Sequence, residues 1–233
     1  MKTIGLIGGT TWVSTVEYYR TINSLTNERL GGHNSAKILL YSLNFEEFKP
    51  PSEPAGWKAV AQMLTGIARR LETAGAECLL LCANTPHMAA DDVQKNIGIP
   101  LLNIAEETAK EIKKRGLAKV GLLGTKFTME LPFFKERLSK YGIETVIPND
   151  ADRAFVHSSI YAELGKSIFT NETKKRYLQI IESLENKGAG GAILGCTEIP
   201  LLIQQKDCTL PVFDTTVIHS TAAVDFALAG RQT

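Results

Sequence analysis

Two segments of the chain carry the same alternation of aliphatic residues and glycine. Residues 4–8 read Ile-Gly-Leu-Ile-Gly, and residues 120–124 read Val-Gly-Leu-Leu-Gly. Two further pairs of segments match in the same order along the chain: Gly75-Ala76 with Gly188-Ala189, and residues 99–103 with residues 210–214. An ordered set of repeated landmarks predicts two half-chains of similar fold.

Short apolar runs alternate with amphipathic segments along both halves, which predicts parallel βαβ units. We therefore expect an α/β protein of two pseudo-symmetric subdomains, each a four-stranded, mainly parallel sheet flanked by helices. The expected boundaries are residues 1–100 plus 209–233 for the first subdomain and 101–208 for the second. The stretch 44–56, with three prolines, predicts a loop. In such folds ligands bind at the carboxyl ends of strands, so the active site is expected in the cleft between the halves.

Composition narrows the class of protein. The chain has 233 residues, of which 44% are hydrophobic and 22% charged, with a net charge of +1. These values are typical of a soluble globular protein, with no bulk charge to recruit nucleic acid and no apolar run long enough to span a membrane. The four cysteines form no CxxC motif and have no ligand-like spacing with histidine, so we expect free thiols, no metal and a cytoplasmic location.

The stretch 195–198, Gly-Cys-Thr-Glu, follows an apolar run that predicts a buried strand. A helix is expected to begin there, with Thr197 as its N-cap and Pro200 in its first turn. A cysteine at such a point lies near unpaired N–H groups and the positive end of a helix dipole, which favours the thiolate. The alternative is that Cys196 is a small buried packing residue.

Alignment of the repeats at Gly75 and Gly188 places a second small, polar turn opposite this one. Ala83 falls opposite Cys196, and Asn84-Thr85 falls opposite Thr197-Glu198. An amide, a hydroxyl and a helix start at Asn84-Thr85-Pro86 suit a carboxylate ligand. An ordinary helix cap is the alternative interpretation of this segment.

With these motifs in their order, the chain resembles the aspartate/glutamate racemase superfamily of cofactor-independent amino-acid racemases. The motifs are Ile-Gly-Leu-Ile-Gly-Gly at 4–9, Asn-Thr-Pro-His at 84–87 and Gly-Cys-Thr-Glu at 195–198. Tyr18-Tyr19 and Phe213-Asp214-Thr215 fit its broad-specificity branch. The resemblance implies an isomerase that needs neither metal nor pyridoxal phosphate, binds a small amino acid and forms a homodimer.

The resemblance also implies a mechanism in which two groups, one per half, face the substrate Cα from opposite sides. Cys196 would be one of them, a thiol acting as acid and base. The residues expected to bind the substrate are Thr10, Thr11, Asn84, Thr85, Thr125, Thr128, Thr197, Glu198 and Lys166. Among these, Lys166 would hold the distal carboxylate of a dicarboxylic substrate. Glu198 would bind substrate, or would only cap the backbone or orient Thr197.

The second catalytic position departs from the family pattern, because Ala83 stands directly before Asn-Thr where two-cysteine members carry cysteine. Cys82 is one residue earlier, and a shift of one residue on a strand turns the side chain to the other face. Four interpretations stay open. An irregular strand end returns Cys82 to the cleft as a catalytic residue, or His87, Thr10 or a water serves the second face. Otherwise Cys196 acts alone, as in single-cysteine isomerases and decarboxylases, or the chain only binds carboxylates.

Overall fold

The computed structural model describes residues 1–48, 51 and 56–230. Its strands are β1 (Ile4–Gly8), β2 (Ile38–Ser42), β3 (Cys78–Leu81), β4 (Lys119–Gly124), β5 (Glu144–Val146), β6 (Ala192–Gly195) and β7 (Val212–Asp214). Its helices are α1 (Trp12–Leu30), α2 (Phe45–Phe48), α3 (Gly56–Thr73), α4 (Ala90–Gln94), α5 (Ile104–Lys114), α6 (Lys126–Glu130), α7 (Pro132–Ser139), α8 (Asp150–Ala162), α9 (Asn171–Asn186), α10 (Ile199–Leu202) and α11 (Thr215–Leu228). Short 3₁₀ turns occupy Thr85–Ala89, Leu164–Lys166 and Gln205–Asp207.

The predicted proline-rich loop at 44–56 is only partly within this description. Residues 49–50 and 52–55 lie outside the described residues, as do residues 231–233. Where the loop was expected to begin, Phe45–Phe48 forms α2 instead. Phe48 is buried, because its ring packs in one hydrophobic core with the apolar residues of α3.

One compact unit comprises residues 1–104 and the chain from His219 onward. Its sheet has the order β2-β1-β3, and both pairings are parallel. The alternation of β3 divides its side chains between two cores: Leu79 and Leu81 pack with α3, whereas Cys78, Leu80 and Cys82 pack with α1 and α11. Helices therefore cover both faces, as expected for a parallel sheet.

The fourth strand expected in this sheet is a single parallel bridge between Leu101 and Leu79. The backbone of Leu79 donates to Pro100 O and accepts from Leu102 N, each at 2.9 Å. Pro100 has no N–H to extend the ladder, and α5 begins at Ile104, so the segment is too short for a strand. The first sheet therefore has three strands.

A second compact unit comprises residues 105–218, with a parallel sheet of order β5-β4-β6-β7. Its main core is formed by α8 and α9 packed on β4 and β6. Because β7 pairs with β6 through Ile193 and Phe213, the boundary expected at residue 209 is wrong for this strand. The order β5-β4-β6 repeats the order β2-β1-β3 of the first unit. In the part of the chain that the structure describes, no helix has the length and apolarity to cross a membrane.

Candidate active site

The turn after β6 brings a thiol, a hydroxyl and a carboxylate together. Cys196 is 9% exposed, and its Sγ donates to Glu198 Oε2 at 2.8 Å. The Thr197 hydroxyl donates to the same carboxylate oxygen, also at 2.8 Å. Glu198 is itself buried, so its carboxylate is held by these hydrogen bonds rather than by bulk water.

The Cys196 thiol is neutral at rest, contrary to the expected thiolate. Burial is the largest effect raising its pKa well above the ordinary value, and the charge and hydrogen bond of Glu198 raise it further. Hydrogen bonds from the backbone at Thr197 and Glu198 lower it less. The helix that was expected to favour the thiolate is short, since α10 has four residues, and its N-cap is Glu198 rather than Thr197.

Two threonines predicted to bind substrate lie beside this turn. Gly124 at the end of β4 pairs with Gly195, which precedes Cys196. Thr125 caps α6 by accepting from Thr128 N–H at 3.3 Å, and a methyl group at Gly195 would stand 3.3 Å from Thr128 Cγ2. Both threonines are buried, so the second unit ends its two central strands in adjacent small and polar residues.

Sequence reasoning missed Tyr161, on the last turn of α8. Burial raises the pKa of its phenol to about 12, and the charges of Cys196 and Glu198 raise it too, which places the phenol within electrostatic range of both. The signal in the sequence was a pair of rings one helical turn apart, His157 and Tyr161. Lys166, the cation predicted for a distal carboxylate, is exposed at the end of its 3₁₀ turn.

In the first unit, the turn after β1 contains the predicted Thr10 and Thr11. Thr11 is the N-cap of α1, accepting from Ser14 N–H at 3.3 Å. The Ser14 hydroxyl in turn donates to the carbonyl of Cys82, which joins the first turn of α1 to the end of β3. Thr10 is 8% exposed, and its hydroxyl finds no hydrogen-bond partner within the described residues. A buried hydroxyl of that kind is suited to a ligand.

Asn84 and Thr85 follow β3 and are both buried, at the start of a 3₁₀ turn rather than the expected α-helix. His87 fixes this turn through both ring nitrogens. Its Nε2 accepts from Ile104 N–H at 3.2 Å, so its Nδ1 carries the proton and donates to Ala83 O at 2.9 Å. Both nitrogens serve the backbone, which leaves His87 no nitrogen for moving a substrate proton.

Cys82 lies on the opposite side of β3 from Leu81, in the apolar core formed with α1 and α11. It is completely buried, and burial raises the pKa of its thiol. The regular strand does not return this side chain to the turn, as the shift of one residue predicted. We therefore propose that Cys82 packs in this core and takes no part in proton transfer.

A buried thiol and carboxylate in contact at the end of parallel strands define an α/β enzyme equipped for proton transfer. The model of the Asp/Glu/hydantoin racemase family matches residues 7–223. The chain belongs to this family and is an isomerase.

Solved structures and curated relatives agree with this assignment. A candidate Asp/Glu racemase from Yersinia pestis is 48% identical with a TM-score of 0.91, over 98% of this chain and 100% of that one. An aspartate racemase homologue from Pyrococcus horikoshii is 40% identical with a TM-score of 0.86, over 97% and 99%. The broad specificity amino-acid racemase RacX of Bacillus subtilis is 24% identical over 162 residues, 70% of each chain.

Proposed function

We propose that the protein racemises aspartate, glutamate or a related amino acid, with Cys196 as the acid and base on one face of Cα. The observation that carries the proposal is the 2.8 Å hydrogen bond from Cys196 Sγ to Glu198 Oε2. A thiol whose pKa is raised needs a base to ionise it, and Glu198 is already its proton acceptor.

The proposed reaction balances without a cofactor. Glu198 takes the thiol proton, and the Cys196 thiolate then takes the Cα proton, leaving a carbanion delocalised into the substrate carboxylate. A proton delivered to the opposite face gives the other enantiomer. Cys196 keeps the Cα proton as its thiol, and the proton on Glu198 passes through solvent to the deprotonated donor of the opposite face, which restores the starting state. For the opposite face we propose a water or the Thr10 hydroxyl, since that hydroxyl is buried without a partner in the described chain.

The proposed ligands of the substrate α-carboxylate are the small polar groups at the strand ends. They are Thr10, Thr11, Asn84 and Thr85 of the first unit and Thr125, Thr128 and Thr197 of the second. Hydroxyl, amide and backbone N–H groups can hold a carboxylate without the cost of burying another full charge.

A second candidate function is one-sided chemistry at Cys196, either isomerisation or decarboxylation of a small carboxylic acid. It is favoured by Ala83 in place of a second thiol, by the burial of Cys82 and by the backbone bonds of both His87 nitrogens. The two candidates differ in the stereochemistry of exchange. In deuterium oxide a racemase incorporates deuterium at Cα with inversion, whereas a one-sided enzyme exchanges with retention or releases carbon dioxide.

The experiment that tests the role of Cys196 compares Cys196→Ala with Cys208→Ala, incubating each with single enantiomers in deuterium oxide. We expect Cys196→Ala to abolish Cα exchange and inversion, while Cys208→Ala, which removes a thiol on the edge of the same core, retains both. Unchanged turnover in Cys196→Ala refutes the proposal. Because the mechanism needs a reduced thiol, we also propose that the protein works in the reducing cytoplasm.

We also propose a homodimer that buries an exposed apolar stripe on α1. Trp12, Val16 and Tyr19 are exposed at successive helical turns, and the ion pair of Glu17 and Arg20 flanks them. A two-fold axis across this helix would set Glu17 of one copy against Arg20 of the other, which is self-complementary. Sedimentation of the wild type as a dimer and of Tyr19→Glu as a monomer supports this interface, whereas a monomeric wild type rejects it.

A further inference from the structure

Three rings form a continuous row on α6 and α8 of the second unit. The ring centroids of Phe127 and His157 lie 6.3 Å apart, those of His157 and Tyr161 lie 5.0 Å apart, and both pairs meet edge to face. Lys126 N–H donates to His157 Nδ1 at 3.1 Å, so this imidazole is neutral with its proton on Nε2. Tyr161 is 37% exposed and the other two rings are half-buried. We refer to Phe127, His157 and Tyr161 as the aromatic row.

The aromatic row lies on two helices whose neighbouring residues adjoin the Cys196 turn or share its core. Phe127 lies on α6, which begins directly after β4, and the last residue of β4 pairs with Gly195. His157 and Tyr161 lie on α8, whose adjacent residues Val156 and Ile160 belong to the same packed core as Cys196. The charges of Cys196 and Glu198 act on the Tyr161 phenol, which is consistent with this placement.

We propose that the aromatic row is the subsite for the substrate side chain, and that it selects an amino acid with an uncharged side chain over a dicarboxylic one. The proposal rests on the proposed racemase function and narrows its substrate class. It assigns a binding role to three residues that the mechanism does not otherwise use.

We expect the aromatic row to bind an apolar substrate side chain more tightly than a negatively charged one. Rings that are partly exposed offer contact area to an aliphatic or aromatic side chain, and edge-to-face contacts add to the burial of apolar area. The ionisable groups that act on Tyr161 are Cys196 and Glu198, both negative when ionised. The neutral thiol and the carboxylate share one proton and so carry one negative charge between them. A side-chain carboxylate would add a second negative charge there, beside a neutral imidazole and a neutral phenol, and so would be disfavoured. Lys126 and Glu130, which have opposite charges, act on the neighbouring His157.

The first measurement is Cα exchange and inversion of L-leucine, L-methionine, L-phenylalanine, L-aspartate and L-glutamate by the wild-type protein. We expect kcat/KM for the best uncharged substrate to exceed that for aspartate and glutamate by about tenfold or more. A preference for aspartate or glutamate overturns the proposal while leaving the racemase function intact.

Variants of Tyr161 separate a substrate contact from a structural role. We expect Tyr161→Ala to raise KM for L-leucine or L-phenylalanine about tenfold with a smaller change in kcat, because the lost contact is made in both ground and transition states. Tyr161→Arg is expected to raise kcat/KM for L-glutamate, because it supplies a cation where the wild type has a phenol. Phe169→Ala, which removes an exposed ring outside the row, is the matched control and is expected to change neither. Equal effects of Tyr161→Ala and Phe169→Ala overturn the proposal.

Binding distinguishes failure of this proposal from failure of the proposed function. Calorimetric titration of Cys196→Ser with L-leucine and L-aspartate requires no turnover. Binding of leucine that is lost in Cys196→Ser/Tyr161→Ala supports the aromatic row even where the wild type racemises nothing. Binding of aspartate alone, or of neither amino acid, overturns it.

Discussion

Glu198 Oε2 accepts a hydrogen bond from Cys196 Sγ at 2.8 Å, and the same oxygen accepts the Thr197 hydroxyl. In three consecutive residues, a thiol and a hydroxyl thus donate to one carboxylate oxygen. The neutral thiol and the carboxylate form one acid–base pair, and a proton can pass between them before substrate chemistry begins. We therefore propose that Glu198 acts as the base for Cys196 in addition to orienting Thr197.

Glu198→Gln is expected to lower both turnover and the thiol pKa. The amide cannot take the thiol proton, so kcat for Cα exchange should fall about a hundredfold or more. The Cys196 pKa should fall at the same time, because the charge and hydrogen bond of Glu198 both raise it in the wild type. Cα exchange measures the first effect, and the pH dependence of thiolate absorbance measures the second.

Thr197→Val is the control for this change, since it removes the other donor to the same oxygen and keeps the carboxylate. We expect it to retain more activity than Glu198→Gln. A Glu198→Gln protein with full turnover, or with a higher thiol pKa, would contradict the role of Glu198 as base.

The sequence predicted three features of the fold: the parallel sheets, the turn that holds Cys196 and the burial of the Cys82 side chain. Each prediction depends on local periodicity or on a repeated segment, and the folded chain keeps these patterns. The ionisation of Cys196 was not predictable, because it depends on burial from distant elements and on a carboxylate two residues away. Tyr161 was missed for a similar reason: its relation to Cys196 depends on the packing of α8 into the core that contains Cys196.

Two predictions about strands were wrong: one concerned the length of a strand and the other its pairing partner. Residues 100–102 have the apolar pattern of a strand, but the missing N–H of Pro100 and the early start of α5 leave one bridged residue. The segment 212–214 was assigned to the first half, whereas it pairs with β6. Pairing partners are long-range choices that local patterns do not specify.

Cys82→Ala is expected to cost stability and leave turnover nearly unchanged. The thiol fills space in a fully buried apolar core, so its removal should lower the free energy of unfolding by about 1 kcal/mol. Urea denaturation and Cα exchange on the same preparation measure the two effects. A large loss of turnover in a folded Cys82→Ala protein would show that Cys82 reaches the substrate after all.

The buried His219 is expected to make the protein acid-sensitive. Tyr18 donates to its Nδ1 and its Nε2–H donates to Leu102 O, each at 2.8 Å. Burial, with a smaller contribution from His87, lowers the pKa of His219 to about 3. The unfolded chain takes up this proton near pH 6.5 and the folded chain does not, so stability is complete above about pH 6.5 and falls below it.

Urea denaturation at several pH values measures this contribution as a difference between wild type and His219→Gln. The wild type should lose up to about 1.4 kcal/mol more per pH unit between about pH 6 and pH 3. The variant lowers stability at neutral pH by disturbing the Tyr18 bond, so the slope rather than the absolute value is compared. Parallel slopes would mean that His219 is protonated in the folded protein.

Two glycine-to-alanine changes are expected to act in opposite directions. A methyl group at Gly124 would lie 2.6 Å from the carbonyl oxygen of Gly195 and 3.1 Å from Thr128 Cβ, so Gly124→Ala must push β4 from β6 beside Cys196. We expect a loss of about 1–3 kcal/mol in unfolding free energy together with lower turnover. At Gly66, on the exposed side of α3, a methyl group meets nothing within 4 Å. Gly66→Ala should therefore stabilise the protein by about 1 kcal/mol without changing turnover, because alanine loses less backbone entropy in a helix. A tolerated Gly124→Ala would show that the strands beside Cys196 have more room than their backbone contact implies.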